Sequence, residues 1–425
     1  MSSCAVFNIA EFKTKGEEIK MINIAILGYG TVGSGVYRVF TTNHKIIENR
    51  LGEAIRIKYV LDLRDFPGDP AEDVLVHDFQ VILDDPEVAI VAEVMGGTGA
   101  AYTFTKKALE AGKSVCTSNK ALVAEHGREL MRIAREKGVS YLFEASCGGG
   151  IPIIRAINDG LTADEIDTVA GILNGTTNYM MYKMGEEGSD FEETLKEAQA
   201  MGYAEADPTD DVEGHDACRK TAILSTLAYG KYVDYRSIPT EGITKITSED
   251  MKYAAAMGCR IKLLGFSTNT EKGVTAIVAP FLVDKDQALY NVNDVFNGIF
   301  VHGNMLGDAM FYGSGAGMLP TASAVSADIV DAAMHLNKTV RTNWTDEEAQ
   351  MVDPGDARWK FFVRTRDIPE EDVFSILPGS RVFRIAKIPE ETGYITPFMK
   401  QADFDKKQAR LGDKVISVIR VFAKE

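Results

Sequence analysis

The stretch at residues 22–40, INIAILGYGTVGSGVYRVF, decides the fold. Residues 22–27 form a short apolar run stopped by glycine, too short for an ordinary helix, and predict a buried strand. Gly28-Tyr29-Gly30-Thr31-Val32-Gly33 then fits GxGxxG, and the apolar positions Val32, Val36, Val39 and Phe40 predict a helix behind it. In that setting the three glycines serve a tight turn, close approach of a pyrophosphate, and close packing of helix on strand. The unpaired amides at the helix start face the diphosphate. Gly28, Gly30, Thr31, Val32 and Gly33 are therefore expected to bind a dinucleotide. The competing reading is an ordinary glycine turn.

Outward from this unit, strands are predicted at 55–63, 81–83, 90–94, 114–117 and 140–143. Helices are predicted at 104–111 and 128–137. Alternation of this kind means βαβ units and a doubly wound, Rossmann-type parallel sheet over residues 21–145. The polar residues 1–20 read as a loose N-terminal extension, or as the product of an upstream start codon, and carry no secretory pattern. Asp62 and Arg64 end the second strand. An acid there holds the ribose hydroxyls of NAD, whereas an arginine accepts the 2′-phosphate of NADP. Both occur, so the choice between NAD and NADP stays open, and each reads equally as a solvated loop charge. Gly97 and Thr98 are expected to pass beneath the ribose and nicotinamide.

The texture changes after Glu144. A glycine cluster at 148–150 precedes Pro152, and a strand at 167–173 runs into NGTTNY. A helix at 191–201, an acidic stretch, an apolar helix at 221–228 and strands at 274–283 and 288–300 follow. This predicts a mixed α+β substrate and dimerisation domain over 146–314. A glycine loop at 313–317 feeds a small-residue helix at 322–336, expected to return beside the cofactor sheet within residues 315–340. Beyond the linker DPGD at 353–356, strands and helices alternate as βαββαβ across 357–425, a small ferredoxin-like plan. Trp359, Phe361 and Val363 share one face of its first strand, opposite Lys360, Phe362 and Arg364. Spacing does not say whether that apolar face lines an interface or covers the module's own helices.

The 425 residues suit two to four domains at roughly 100–200 residues each. With 46 basic and 62 acidic residues the net charge is −16, which argues against nucleic acid or an anionic membrane as partner. No uncharged apolar run reaches about 18 residues, so no membrane span is expected. The five cysteines, Cys4, Cys116, Cys147, Cys218 and Cys259, form no CxxC pair and read as reduced thiols of a cytoplasmic protein.

Five further motifs stand behind the fingerprint: TSNKALVA from Thr117, EASCGGGIPII from Glu144, GILNGTTNYM from Gly171, GYAEADPTDDVEGHDACRKTAIL from Gly202 and GSGAGMLPTASAVSADI from Gly313. In this order and spacing the chain resembles the homoserine dehydrogenases over about residues 21–333. The resemblance implies NAD(P)-dependent interconversion of L-homoserine and L-aspartate 4-semialdehyde, a step of threonine and methionine biosynthesis. It implies catalytic roles for Lys120 and Lys220, and carboxylates at Glu205, Asp211 and Asp216 facing the substrate. It also implies a monovalent cation, sodium, held by backbone carbonyls at Glu144, Cys147, Gly149 and Ile151. Gly315 and Gly317 approach the nicotinamide, and the assembly is a homodimer or homotetramer. Elementary chemistry agrees. Asp216 and Lys220 lie four apart and share a face if helical. Alcohol oxidation needs a group to take the hydroxyl proton, which suits a partly desolvated lysine of lowered pKa. Carboxylates suit the substrate's α-ammonium. Without NGTTNYM beside it, DPTDDVEGHD would read as a solvated acidic loop.

Two rival readings remain at this point. Cys147 would serve as thiol nucleophile in a semialdehyde dehydrogenase, given a histidine base. His77, His126, His215 and His302 occur, none in a partner motif. The other rival is a non-catalytic nucleotide- or amino-acid-sensing protein. Many homoserine dehydrogenases end in an ACT regulatory module that opens with D-x-P-G. Here Asp367-Ile368-Pro369 is followed by Glu370, which predicts weak or absent inhibition by threonine.

Overall fold

The computed structural model describes residues 21–424; the extension read at 1–20 lies outside them. The first sheet contains β1 (Met21–Leu27), β2 (Ala54–Leu61), β3 (Leu75–Val76), β4 (Val88–Glu93), β5 (Ser114–Thr117) and β6 (Tyr141–Leu142). All pair in parallel, in the order β3-β2-β1-β4-β5-β6. β1 is buried along nearly its whole length because helices cover both faces of the sheet, hence its unbroken apolar run. The helix Thr31–Leu51 covers one face together with Met318–Met334, which returns from far along the chain. Gly35 permits their approach. A Cβ there would lie 2.9 Å from Ala322 Cβ and from Met318 Cγ. The helices Gly99–Glu110 and Lys120–Lys137 pack on each other across the other face.

The expected strand at 81–83 is instead part of a helix, Phe79–Asp84. Asp78 caps it by accepting a hydrogen bond from the Gln80 amide at 2.9 Å. A three-residue apolar run cannot tell helix from strand, and the cap decides.

The second sheet is mixed. Its strands are β7 (Ile166–Ile172), β8 (Cys259–Thr270), β9 (Gly273–Asp284), β10 (Phe296–Gly303), β11 (Gly307–Ser314), β12 (Arg358–Arg366), β13 (Arg381–Phe383), β14 (Glu391–Ile395), β15 (Met399–Lys400) and β16 (Val415–Val421). The order runs β11-β10-β7-β8-β9-β16-β12-β14-β13, with β15 beside β12. The strand expected at 288–300 is divided into a 3₁₀ turn, Ala288–Asn291, a loop with Asp294 at φ 57°, and then β10. β8 and β11 lie outside the strands expected from sequence.

The segment after Arg358 runs strand-helix-strand-strand-helix-strand, with its strands ordered β16-β12-β14-β13. It does not stand apart. β16 pairs in parallel with β9 through Arg420 and Val421, so one sheet passes through both regions. Both faces of β12 are covered. Phe361 stacks on Phe404 of the helix Gln401–Leu411 with ring centroids 3.7 Å apart, and Trp359 reaches Phe281 of β9. On the opposite face Phe362 meets Tyr253, and Arg364 is buried between Asp250 and Glu391 at 3.0 Å from each. No helix among the described residues is long and apolar enough to cross a membrane.

Candidate active site

The fingerprint loop leaves β1 at the carboxyl edge of the parallel sheet. Gly28 has φ 95°, and a Cβ on Gly33 would lie 1.9 Å from the Gly28 carbonyl oxygen. Only glycines permit this tight cradle, and Thr31 and Val32 open the helix above it. Asp62 sits below the loop with both oxygens engaged. Oδ2 accepts from the Tyr29 amide at 2.8 Å, and Oδ1 accepts from Arg64 N at 3.0 Å and Nε at 2.9 Å. The Arg64 guanidinium, helped by these backbone amides, outweighs the opposing effect of burial and leaves the Asp62 carboxyl well below the usual range. Arg64 itself is largely exposed, 5.0 Å over the Phe66 ring. Gly97 takes φ 74°, and Thr98 precedes the helix Gly99–Glu110.

The second cluster lies where the two sheets' elements meet. Gly214, at φ 82°, starts the helix His215–Tyr229 and places Asp216 and Lys220 one turn apart, both buried. Lys220 Nζ donates to Asp216 Oδ2 and to the Leu173 carbonyl, each at 2.7 Å. Lys120 opens the helix Lys120–Lys137, and its Nζ forms an ion pair with Asp216 Oδ1 at 2.6 Å. One buried carboxylate thus joins two ammonium groups, one from each region. Burial pushes Asp216 up, but the two lysines outweigh it and hold the carboxyl well below its usual range. Burial pulls Lys120 down, and Asp216 outweighs that in turn, so Lys120 titrates above an ordinary lysine. This corrects the expectation of a lowered lysine pKa at Lys120: the paired carboxylate dominates desolvation.

Asp211 joins through Asn174, whose Nδ2 donates to Asp211 Oδ1 at 2.7 Å and to Asp216 Oδ2 at 3.0 Å. Burial raises Asp211 above an ordinary carboxyl. Glu205 is not brought to this cluster. It lies on an exposed segment, and its carboxylate has no partner among the described residues. Sequence reasoning missed Asn174. Its one signal is its place directly before GTTNYM, where its Oδ1 accepts from the Thr177 amide and caps Gly175–Glu187.

The 144–151 loop packs against the 315–317 loop. Gly148 and Gly149 both have positive φ, and a Cβ on Gly149 would lie 2.5 Å from the Gly315 carbonyl. The Glu144 carboxylate is taken, accepting from the Ile154 and Arg155 amides at 2.8 Å each. The backbone carbonyls of Glu144 and Ile151 each accept an amide, from Cys147 and Ile153. Those of Cys147 and Gly149 accept none among the described residues. Gly317, at φ 110°, leads into the helix Met318–Met334.

Cys147 is fully buried, and burial pushes its thiol up to about 12. Among the described residues its sulfur makes hydrogen-bond contacts with the Ser146 hydroxyl and the Lys220 carbonyl. His77 and His302 contact Asp65 and Asp167, His126 stacks on Tyr102, and His215 is exposed at the start of its helix with no hydrogen bond to the sulfur. A neutral thiol without an imidazole is not a nucleophile, so the thiol-enzyme reading falls.

A dinucleotide cradle on a parallel sheet, with paired lysines at the seam to a mixed sheet, defines a nicotinamide-dependent dehydrogenase. Residues 28–144 match the family model for the homoserine dehydrogenase NAD binding domain, and residues 152–330 match that for homoserine dehydrogenase. The homoserine dehydrogenase of Neisseria gonorrhoeae is 45% identical over 74% of this chain and 73% of its own length. That of Bacillus subtilis is 36% identical over 93% of this chain and 96% of its own. The crystal structure of a homoserine dehydrogenase from Thiobacillus denitrificans superposes with a TM-score of 0.88, at 35% identity, over 95% of this chain and 98% of that one. The chain belongs to the homoserine dehydrogenase family. It is an oxidoreductase that interconverts L-homoserine and L-aspartate 4-semialdehyde with NAD(P).

Proposed function

We propose that Lys220 is the principal acid/base of this reaction and that Lys120 polarises and orients the substrate oxygen. The observation that carries the reading is the single buried carboxylate of Asp216 between both ammonium groups. Bound nicotinamide supplies the hydride acceptor. In the reduction direction the Lys220 ammonium gives a proton to the carbonyl oxygen as hydride arrives from the reduced nicotinamide. In the oxidation direction Lys220 must first release a proton to solvent, and the neutral amine then takes the proton of the substrate hydroxyl. Lys220 is held by Asp216 and the Leu173 carbonyl, so its Nζ has a fixed direction. Lys120, more exposed and kept protonated by Asp216, stabilises negative charge on the oxygen. Asp211 takes the substrate α-ammonium. Glu205, exposed on the adjoining segment, is the second carboxylate for that ammonium.

The glycine cradle at Gly28 and Gly33 fits a pyrophosphate. The Asp62 oxygens are taken by the Tyr29 amide and by Arg64, whose guanidinium, though paired with Asp62, stays largely exposed to a ribose substituent, which favours NADP over NAD. The unpartnered carbonyls of Cys147 and Gly149 fit a sodium ion, with Glu144 and Ile151 offering second lone pairs.

The cofactor unit is residues 21–145 with the return helix, the substrate unit 146–314, and an ACT-like unit 357–425. In the last, Glu370 pairs with Arg384 where an effector would approach, which supports weak or absent threonine binding. A homodimer or homotetramer fits the open face of the second sheet. There Phe266, Phe300, His302 and Met310 line a trough of about 1000 Å³.

The test is reduced-nicotinamide absorbance with homoserine and each cofactor in turn. Turnover is expected with NADP ahead of NAD, and undiminished in Cys147→Ala. Absence of turnover with both cofactors would end the reading.

A further inference from the structure

We propose that Glu93 is a positioning residue for this reaction, acting through Thr117 and Asn119 on both the cofactor turn at 95–97 and the start of the Lys120 helix. Glu93 ends β4 at the carboxyl edge of the parallel sheet, where ligands bind in this architecture. Its side chain is fully buried and has no charged partner among the described residues. Its oxygens instead accept from two loops. Oε1 accepts from the Met95 amide at 2.8 Å. Oε2 accepts from the hydroxyl of Thr117, its neighbour across the sheet in β5, at 2.6 Å. Thr117 Oγ1 accepts from the Asn119 amide at 2.9 Å. The Asn119 side chain then acts twice. Its Oδ1 caps the helix that Lys120 opens, accepting from Leu122 N at 3.0 Å, and its Nδ2 donates to the Gly97 carbonyl at 2.6 Å.

These bonds close a ring from Glu93 through the 95–97 turn to Asn119 and back through Thr117. The ring ties the turn that packs on Gly28 to the residue preceding Lys120. A buried carboxyl is costly, and an apolar side chain of similar size would fill the space without that cost. It would also strand the Met95 amide and the Thr117 hydroxyl. Burial pushes Glu93 up to about 7. Tyr141, buried on β6, is the titratable side chain that feels its charge.

The turnover arm of this proposal rests on the lysine assignment above; the cofactor arm does not. Thr117→Val keeps the shape and removes the hydroxyl, and Thr117→Ser keeps the hydroxyl. With the full-length enzyme, Thr117→Val and Glu93→Gln are expected to weaken NADPH binding roughly tenfold, read by cofactor fluorescence without turnover. Both should lower kcat by a similar factor, while Thr117→Ser stays within about twofold of wild type on both measures. The wild-type profile of kcat/KM should carry a step near pH 7 that Glu93→Gln lacks. Wild-type NADPH affinity and kcat in Thr117→Val would overturn the proposal. So would Thr117→Ser impaired as far as Thr117→Val, because the hydroxyl would then not be the link. If Glu93→Gln does not fold, the two Thr117 variants still decide. Unchanged turnover in Lys120→Ala would sink the lysine assignment alone, leaving NADPH affinity to judge Glu93.

Discussion

Two buried charge clusters are built with opposite arithmetic. At the seam between the sheets, one carboxylate, Asp216, lies between two lysines. Under the C-terminal strands, one guanidinium, Arg364, lies between two carboxylates, Asp250 and Glu391. The difference is in closure and balance. Arg364, Asp250 and Glu391 have side chains no more than 2% exposed, and Arg366 adds a second cation to Glu391. That cluster is balanced by Arg366 at its exposed rim and sealed at its centre, and it welds the helix Ser248–Ala256 to β12. Lys120 is 37% exposed, and Asp216 alone is shared between it and Lys220. An ammonium that reaches solvent is available to a developing oxyanion. A balanced, sealed group has nothing left to offer a ligand.

Substitution should separate the two clusters. Lys220→Ala is expected to lower kcat by roughly 10²–10⁴, with little change in KM for the cofactor. Steady-state kinetics check this, and near-wild-type turnover would erase the contrast. Arg364→Met should do the reverse. It leaves buried Asp250 without a cation and Glu391 with Arg366 alone, and should cost about 3–5 kcal/mol in urea unfolding. Folded enzyme should keep its kcat; a loss of kcat larger than the loss of folded fraction would mean this cluster also serves the site.

Arg64→Ala should weaken NADP roughly 10–100-fold, the weight of one charge-assisted contact, and leave NAD nearly unchanged. Equal losses for both cofactors would assign Arg64 to the loop rather than to the phosphate.

Asp216→Asn gives the smallest and sharpest comparison. Asp216 raises Lys120, so its removal should move the alkaline limb of kcat/KM to lower pH. An unmoved limb would detach Lys120 from the reaction. Asp216's own folded-state pKa is depressed. Its stabilising share is therefore present above the ordinary carboxylate range and lost only as pH falls below it.

The parallel sheet was readable because each βαβ unit repeats a local pattern, and the fingerprint marks where it begins. The error at 79–84 came from an apolar run short enough to suit either state. β8 and β11 each pair with an adjacent strand in a hairpin, but escaped notice because β8 carries charged and polar residues within its apolar run, and β11 alternates at a sheet edge along Gly307–Ser314. Lys120, Lys220, Asp211 and Asp216 were legible from motifs, and the structure adds Asn174 as the bridge among them. Glu205 shared their motif but makes no contact with them among the described residues, since spacing along an acidic loop carries no direction. The Arg364 cluster had no sequence signal, because its members are far apart in the chain and only packing joins them. For the same reason Glu93 read only as a strand end.

The contact of β16 with β9 bears on how the protein is made and how it can be cut. Phe281 and Leu282 are synthesised long before Arg420 and Val421, which complete their pairing. Until then, Gly273–Asp284 presents a bare margin along that stretch, the kind of surface that recruits other chains. A shortened protein ending before Arg358 would keep every residue assigned to chemistry and still be prone to clump. The terminal module thus acts as a selvedge that keeps the catalytic sheet from fraying into its neighbours.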